Sequence, residues 1–526
     1  MYLKDFFPKI EKKYQNYFFS NIAFNSSKVK KDFIFFAIKG NEFNGHSFIK
    51  DAIKKGSKII IHEKKFTGLR NDILFIYSKN IRRLLAYVSF RIHRQQPKNL
   101  VSVTGTNGKS SIADFYYQIL KLNKIRVASI GTLGVRTINS IKNLPNTTID
   151  PIELAKTLKK LKKQKIENVI MEASSHGLKQ NRLDGLLFNI GIFTNISHDH
   201  LDYHKNFNDY LNSKLYLFKK LLKKNGDIIT DQNIPEFRKI EKISKLNKLN
   251  LNVISSNKEN SGMRVTSHKF DGESQIVYVN YKRLNFKFRI NLIGKIQIKN
   301  ILMALIAAEK SGVKILTAIK NLSNLKPISG RLEKVGEIKN NSKVILDYAH
   351  TPDALKTVLE NLKEQFPEKK ISIVFGCGGD RDKKKRFFMG KIASSYCDNI
   401  YLTDDNPRNE NANSIRKEIK KGIKNKKIIE IPDRKKAIKK AIFNLQSSEI
   451  LLVAGKGHEM TQTYKNKVRF FSDKEIIIES IEFKNKNLSK DIKINILREI
   501  SKTNLPFKNL RSKKVVINSK EINKDD

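Results

Sequence analysis

The chain has 526 residues, with 103 Lys plus Arg against 51 Asp plus Glu and a formal net charge of +52. That length fits about three domains, and a hydrophobic fraction of 39% with 31 Phe can fill several cores, which excludes wholesale disorder. Cys377 and Cys397 are the only cysteines, too few for a disulfide framework or a multi-cysteine metal site, and no apolar run nears the ~18 residues of a membrane span, so a cytoplasmic protein without a membrane span is expected.

Residues 1–98 alternate short apolar runs, Phe33 to Ile38, Lys58 to Ile61 and Ile73 to Tyr77, with helical patterns, and end in a basic helix and Gln95-Gln96-Pro97. They read as a small α/β domain. From Asn99 to about residue 328, strand, loop and helix repeat, the pattern of a mainly parallel sheet covered by helices.

That second region opens with Leu100 to Val103 as a short strand, then Thr104-Gly105-Thr106-Asn107-Gly108-Lys109-Ser110-Ser111, then an amphipathic helix through Leu122. Glycines let backbone N–H groups turn inward around phosphate oxygens, and the helix N-terminus adds positive potential. Lys109 is placed for the outer phosphates and Ser110 for Mg²⁺. The spacing Gly-x-x-Gly-Lys-Ser is shorter than the standard Walker pattern, but strand, loop and helix agree on nucleotide binding.

Further along, Val169 to Met171 is a strand ending in Glu172, with Ser174, Ser175, His176 and Gly177 beyond it. Phe188 to Thr194 is another, followed by Asn195 and His198-Asp199-His200-Leu201-Asp202-Tyr203-His204. A carboxylate and imidazoles at neighbouring strand ends beside a phosphate loop suit Mg²⁺ bound to ATP. A three-histidine zinc site and a metal-free solvated loop are the competing readings. The helix from Phe207 to Leu222 then puts Phe207, Tyr210, Leu211, Leu215, Phe218 and Leu221 on one face, with Lys214 inside that stripe. Lysine rarely sits buried without a partner, so Lys214 either snorkels to water or has a functional partner.

Residues 329–482 form a third α/β unit in which four apolar strands each end in a polar cluster: Asp347-Tyr348-Ala349-His350, Gly376-Cys377-Gly378-Gly379-Asp380, Asp404-Asp405-Asn406-Pro407-Arg408 and Gly455-Lys456-Gly457-His458-Glu459. Ligands of open α/β sheets bind beyond the carboxyl ends of the strands, so the four clusters should converge on one site. A basic tail, 483–526, follows.

The charge invites a nucleic-acid reading, but residues 1–98 carry +14 and residues 484–526 carry +7, with the remainder spread between them. The excess follows a chain-wide choice of Lys, so nucleic acid is not expected as a partner. A nucleic-acid-dependent ATPase stays open as the reading from another class.

Taken together, these motifs resemble the Mur ligase family of ATP-dependent amide-forming enzymes of peptidoglycan precursor synthesis, over residues 20 to 482. Within it they resemble most the members that add meso-diaminopimelate to UDP-N-acetylmuramoyl-L-alanyl-D-glutamate. The resemblance implies an α/β protein of three domains: 1–98 for the UDP moiety, a central P-loop-type ATPase domain at 99–328, and a C-terminal Rossmann-like domain at 329–482 for the amino acid. It implies ATP and Mg²⁺, and a monomer. Thr104 to Ser110, Asn300, Arg331 and Asp347 fall to ATP; Ser110, Glu172 and His198 fall to Mg²⁺; Lys109, Glu172, His198 and Lys214 fall to catalysis. Lys214 matches the family's carbamylated lysine (N6-carboxylysine), an anion that ligates a second Mg²⁺. Phe24, Ser26, Asn146, Thr147, Thr148, Ser174, Gln180 and Arg182 match the muramoyl-dipeptide site. Arg381, Asp405, Asn406, Pro407, Arg408, Gly455 and Glu459 match the diaminopimelate site, where an Arg fork pairs bidentately with the distal carboxylate.

Departures are Asn25-Ser26-Ser27 for the usual Asp-Ser-Arg, Gln297 for Asn, and Ile149 for Pro. A lysine-adding member and folylpolyglutamate synthetase are the alternatives inside the superfamily. The final stretch from Val515 can be laid on the one from Ile22, with Asn, Ser, Lys and Asp matching. The tail is therefore either a plain basic appendage or the truncated start of a second, adjacent Mur ligase.

Overall fold

The structure, a computed structural model, describes residues 1–40, 43–255, 262–424 and 426–500, the residues from 489 to 500 by backbone alone. The chain divides into two compact units, Met1–Lys326 and Pro327 onward. The stretch from Val515 laid on Ile22 lies outside the described residues.

The first unit holds two sheets. The smaller has the order β1-β2-β3-β5-β4, with β1 at Asn21–Ala23, β2 at Phe33–Phe36, β3 at Ile59–His62, β4 at Gly68–Arg70 and β5 at Ile73–Tyr77. All pairs are parallel except β4 with β5. β2 and β3 are buried along most of their length because helices and loops cover both faces, which is why they read as unbroken apolar runs. β1 and β4 are short edge strands with little apolar signal.

The larger sheet has eleven strands: β6 Asn99–Thr104, β7 Val127–Gly131, β8 Gly134–Arg136, β9 Ile141–Lys142, β10 Asn168–Glu172, β11 Phe188–Phe193, β12 Leu222–Asp231, β13 Asn250–Ser255, β14 Met263–Asp271, β15 Ser274–Tyr281 and β16 Leu284–Ile290. Its centre runs β7-β10-β6-β11-β12-β13, all parallel, with antiparallel strands at both edges. β6 lies between β10 and β11, Val103 beside both Glu172 and Ile192. The loops that leave these three strands therefore emerge side by side at one edge. The helix Ile296–Lys310 is buried from Asn300 through Ala308 and packs on the helix Lys109–Leu122, where Tyr116 Oη donates to Ser311 Oγ at 2.8 Å.

The second unit carries a six-stranded sheet, β17-β18-β22-β19-β20-β21, with β17 at Glu333–Glu337, β18 at Lys343–Asp347, β19 at Ile371–Phe375, β20 at Asn399–Leu402, β21 at Ile428–Glu430 and β22 at Ile450–Ala454. Only β17 is antiparallel to its neighbour. β18, β19 and β22 are buried throughout, so the four polar clusters read from sequence do leave parallel strands at one edge. A hairpin, β23 Thr461–Tyr464 and β24 Lys467–Phe470, follows.

The last described helix runs Asp473–Ile500, straight through position 483. Lys484 is buried, and its ammonium donates to Ile442 O at 3.0 Å, Phe443 O at 3.2 Å and Leu445 O at 2.6 Å. All three carbonyls lie at the C-terminal end of the helix Arg434–Asn444, where a cation is favoured; Ile442 O also accepts from Leu445 N at 3.3 Å and Leu445 O from Asn340 Nδ2 at 3.3 Å. The residues read as the start of a separate tail thus close a helix of the second unit.

Candidate active site

The loop expected to bind phosphate is built from residues that only its backbone shape explains. Gly105 has φ +148, and a Cβ there would stand 1.8 Å from Thr194 Oγ1. Gly108 has φ +86 at the cap of the Lys109–Leu122 helix, where a Cβ would meet Asn300 Oδ1 at 2.9 Å. The end of β11 braces the loop: Thr106 N donates to Asn195 O at 2.9 Å, Asn107 N to Asn195 Oδ1 at 3.0 Å, and Thr194 Oγ1 to Asn107 O at 2.6 Å. Lys109 folds back on the loop, donating to Gly105 O at 3.0 Å and Thr106 O at 2.8 Å.

Glu172, buried at the end of β10, accepts from Ser110 Oγ at 2.9 Å, from Thr132 N at 2.8 Å and from Thr132 Oγ1 at 3.2 Å. Among the described residues no group of three His, Cys, Asp or Glu is placed to hold a metal ion, so no three-histidine zinc centre is built. A serine hydroxyl and a carboxylate beside a phosphate loop are hard oxygen donors of the kind Mg²⁺ takes while keeping waters and phosphate oxygens. The donor set fits Mg²⁺.

Lys214 does not snorkel. It is 1% exposed, its Nζ donates to Gly105 O at 2.6 Å, and it sits 4.5 Å from the centroid of the Tyr210 ring. Burial, reinforced by the nearby Lys109 charge, holds its pKa well below that of an ordinary lysine. Tyr210 Oη in turn meets Thr106 Oγ1 at 2.9 Å. The lysine amine is thereby pressed against the glycine loop with its charged form disfavoured by burial.

The histidines of this loop differ in their surroundings. His198, expected at the metal, is exposed. His200, with φ +54 and a side chain 41% exposed, has its ring 4.9 Å from that of His176 and its Nε2 3.4 Å from Asp199 Oδ2; desolvation, aided by His176, Lys109 and Lys214 and opposed by Asp199, pushes its pKa down to about 4. His176 stacks on Tyr203 at 4.0 Å, and Gln180 Nε2 donates to Tyr203 Oη at 3.1 Å.

Beside this centre opens a cleft of about 930 Å³, lined by Phe24, Ser26, Asn146, His176, Gln180 and Arg182 among others. Arg82 and Asp150, which no motif marked, also line it. Arg182 donates to Gln180 Oε1 at 2.7 and 3.1 Å and to Thr148 O. Thr147, Thr148 and Ser174 are tied into the frame beside it. Thr148 Oγ1 donates to Glu172 O and accepts from Ser174 N, both at 2.9 Å; Ser174 Oγ accepts from Gly177 N at 3.1 Å; Thr147 Oγ1 meets Thr132 Oγ1 at 3.0 Å. Asn300, buried in this unit, donates to Gln297 Oε1 at 3.1 Å.

In the second unit, Asp347 is buried at the end of β18, accepts from Leu332 N and Ala349 N at 2.7 Å each, and has its pKa raised by burial. The Arg331 guanidinium lies 4.6 Å over the Tyr348 ring. The segment from Asp405 to Arg408 is held tightly: Gly379 N donates to Asn406 O at 2.9 Å, Arg408 N to Thr463 O at 3.1 Å, and Arg408, at φ +52, points its guanidinium to Gly379 O at 2.6 Å. A Cβ on Gly379 would come within 1.9 Å of Pro407 O, and one on Gly455 within 2.6 Å of Asp405 Oδ2, a buried oxygen without a hydrogen-bond partner. Glu459 accepts from Asn406 Nδ2 at 3.0 Å and from Tyr348 Oη at 3.4 Å. Arg381 is exposed, its guanidinium donating to Asp380 O at 3.3 Å.

Comparison with known proteins decides the family. Residues 19–88 match the Mur ligase family catalytic domain, 103–308 the Mur ligase middle domain and 330–457 the Mur ligase glutamate ligase domain. The UDP-N-acetylmuramoyl-L-alanyl-D-glutamate--2,6-diaminopimelate ligase of Rickettsia montanensis is 37% identical over 469 residues, 88% of this chain and 96% of that protein. The chain belongs to the Mur ligase family. A solved structure of another 2,6-diaminopimelate ligase of that name is 28% identical with a TM-score of 0.67, covering 92% of this Mur ligase and 99% of the solved chain. The MurF ligase of Thermotoga maritima in complex with ADP shares the fold, with a TM-score of 0.59 at 20% identity, 89% of this chain and 98% of that one.

Beside the expected residues of this Mur ligase stand Thr132 on Glu172, Tyr203 on His176 and Arg82 in the cleft. Thr132 and Arg82 lie outside any motif.

Proposed function

We propose that this Mur ligase joins meso-diaminopimelate to the D-glutamate γ-carboxylate of UDP-N-acetylmuramoyl-L-alanyl-D-glutamate, using ATP. In this reading residues 1–98 with the adjoining cleft hold the UDP-linked dipeptide, 99–328 hold ATP, and 329–482 hold the amino acid. The observation that carries the choice of amino acid is the Asp405 to Arg408 segment fixed beside Glu459. A guanidinium fork suits the distal carboxylate of diaminopimelate, and a carboxylate suits its distal ammonium.

The N-terminus of the helix Lys109–Leu122, beyond the Thr106 and Asn107 amides that Asn195 already holds, receives the phosphates, and the Lys109 ammonium, released from its own loop carbonyls, turns to the outer phosphate. Ser110 and Glu172, with His200 in place of His198, would hold Mg²⁺, which supplies charge neutralisation when bound. Lys214, its charged form disfavoured by burial, is set to take up CO₂ as a carbamate. The γ-carboxylate attacks the γ-phosphate, releasing ADP, to give an acyl phosphate; the amine of diaminopimelate then attacks the acyl carbon and loses a proton, and the tetrahedral intermediate expels phosphate. Arg182 and Gln180 orient the dipeptide, so catalysis is mainly positioning and charge stabilisation.

The test is phosphate release with ATP and the UDP-linked dipeptide, run with diaminopimelate and with L-lysine side by side. Release is expected only when dipeptide and diaminopimelate are both present. Turnover with lysine but not with diaminopimelate refutes the assignment.

A further inference from the structure

The loop after β22 carries a lysine that the reaction above does not use. Lys456 stands between Gly455 and Gly457 and is 0% exposed, whereas a lysine in a loop ordinarily carries its ammonium to water. An ammonium has three N–H donors, and three acceptors meet this one: Thr461 O at 2.6 Å, Glu459 Oε2 at 3.0 Å and Asn406 Oδ1 at 3.3 Å. The first ties the loop to the β23–β24 hairpin. The other two are side chains assigned above to the amino acid.

These two side chains are also tied to each other and to their surroundings. Asn406 Nδ2 donates to the same Glu459 Oε2 at 3.0 Å, and Asn406 Oδ1 also accepts from Thr463 N at 3.0 Å. Asn406 is thereby oriented with its oxygen on Lys456 and its amide on Glu459. The Glu459 side chain stays 31% exposed although Lys456 is closed off. One face of the carboxylate is thus anchored from the interior, while the group remains accessible to a ligand.

We propose that Lys456 is a positioning residue for the acceptor amino acid. Its buried ammonium fixes Asn406 and Glu459 in one arrangement, so that the Glu459 carboxylate meets the distal ammonium of the amino acid without reorganising. Holding a carboxylate in place before the ligand arrives removes the ordering cost from binding, and a charge-assisted hydrogen bond does this more firmly than a neutral one. The proposal rests on the reading that diaminopimelate is the acceptor. It adds that a residue out of the ligand's reach sets the affinity for it.

Steady-state phosphate release by the full chain separates this role from a structural one. Lys456→Met is expected to raise the KM for diaminopimelate about tenfold or more, with the KM values for ATP and the UDP-linked dipeptide unmoved. Combined with Glu459→Gln, the same substitution is expected to add clearly less than it does in the unmutated chain, because the two side chains act as one unit. Lys456→Gln serves if the Met variant does not fold, with the same selective shift expected. Equal loss toward all three substrates, or full additivity with Glu459→Gln, overturns the proposal. Failure of the unmutated enzyme to use diaminopimelate overturns the underlying reading, and that is seen before any variant is made.

Discussion

Lys214 Nζ donates a 2.6 Å hydrogen bond to Gly105 O, joining the middle of one buried helix to the first turn of the phosphate loop across 109 positions of sequence. The loop glycine has no room for a Cβ, and the lysine has no access to water. An amine buried beside Lys109 is costly as a cation, and it is retained where catalysis is expected to use it.

Lys214→Met is therefore expected to lower turnover by about 100-fold or more while raising stability. The sign follows from linkage. Because the folded state holds the lysine pKa below the usual 10.5, the unfolded chain binds more protons, and stability rises with pH between the two values. In CO₂-free buffer the advantage of Lys214→Met should be largest near neutral pH and shrink as pH climbs toward that of free lysine. Paired thermal melts across that range check it, and a gap that widens with pH refutes it.

His200 and His198 should separate cleanly. His200→Asn is expected to reduce turnover by about 100-fold, and His198→Asn by no more than about twofold. With its pKa pushed down to about 4, chiefly by desolvation, His200 is expected to stay a neutral imidazole between about pH 6 and 8. Its own titration should leave no inflection in the activity profile from about pH 6 to 8. Kinetics of the two single variants settle which histidine matters.

Asp473 and Arg434 are both 0% exposed and share two hydrogen bonds, at 2.6 and 2.8 Å. Arg434 also donates to Ala454 O at 2.9 Å, immediately before Gly455. Asp473→Asn leaves a buried guanidinium uncompensated and is expected to cost about 3 to 5 kcal/mol of stability. Urea unfolding of the variant measures this.

A single substitution tests the last helix. Lys484→Met takes away the ammonium that donates to Ile442 O, Phe443 O and Leu445 O at the end of the helix Arg434–Asn444. The variant is expected to lose roughly 1 to 3 kcal/mol of stability. An unchanged melting temperature would show that Lys484 contributes nothing.

What the sequence made legible was contiguous or anomalous. The phosphate loop shows itself because strand, glycines, lysine and helix follow one another, and Lys214 because a cation interrupts an apolar stripe. The buried parallel strands β6, β10, β11, β18, β19 and β22 were readable as apolar runs. The edge strands β17 and β21 and the β23–β24 hairpin are half solvated and carry no such run. Lys456 and Lys484 were illegible for the opposite reason. A lysine flanked by glycines or set in a basic tail looks like solvated surface, and only distant backbone carbonyls and side chains reveal it as buried.

The Arg434 to Asp473 pair also sets an order of events during synthesis. Arg434 emerges 39 positions before its partner, and until then it is a cation that the finished interior would leave uncompensated. Its helix cannot settle against β22 at full stability before Asp473 arrives. A nascent chain stopped just upstream of Asp473 therefore lacks the carboxylate that this buried cation needs.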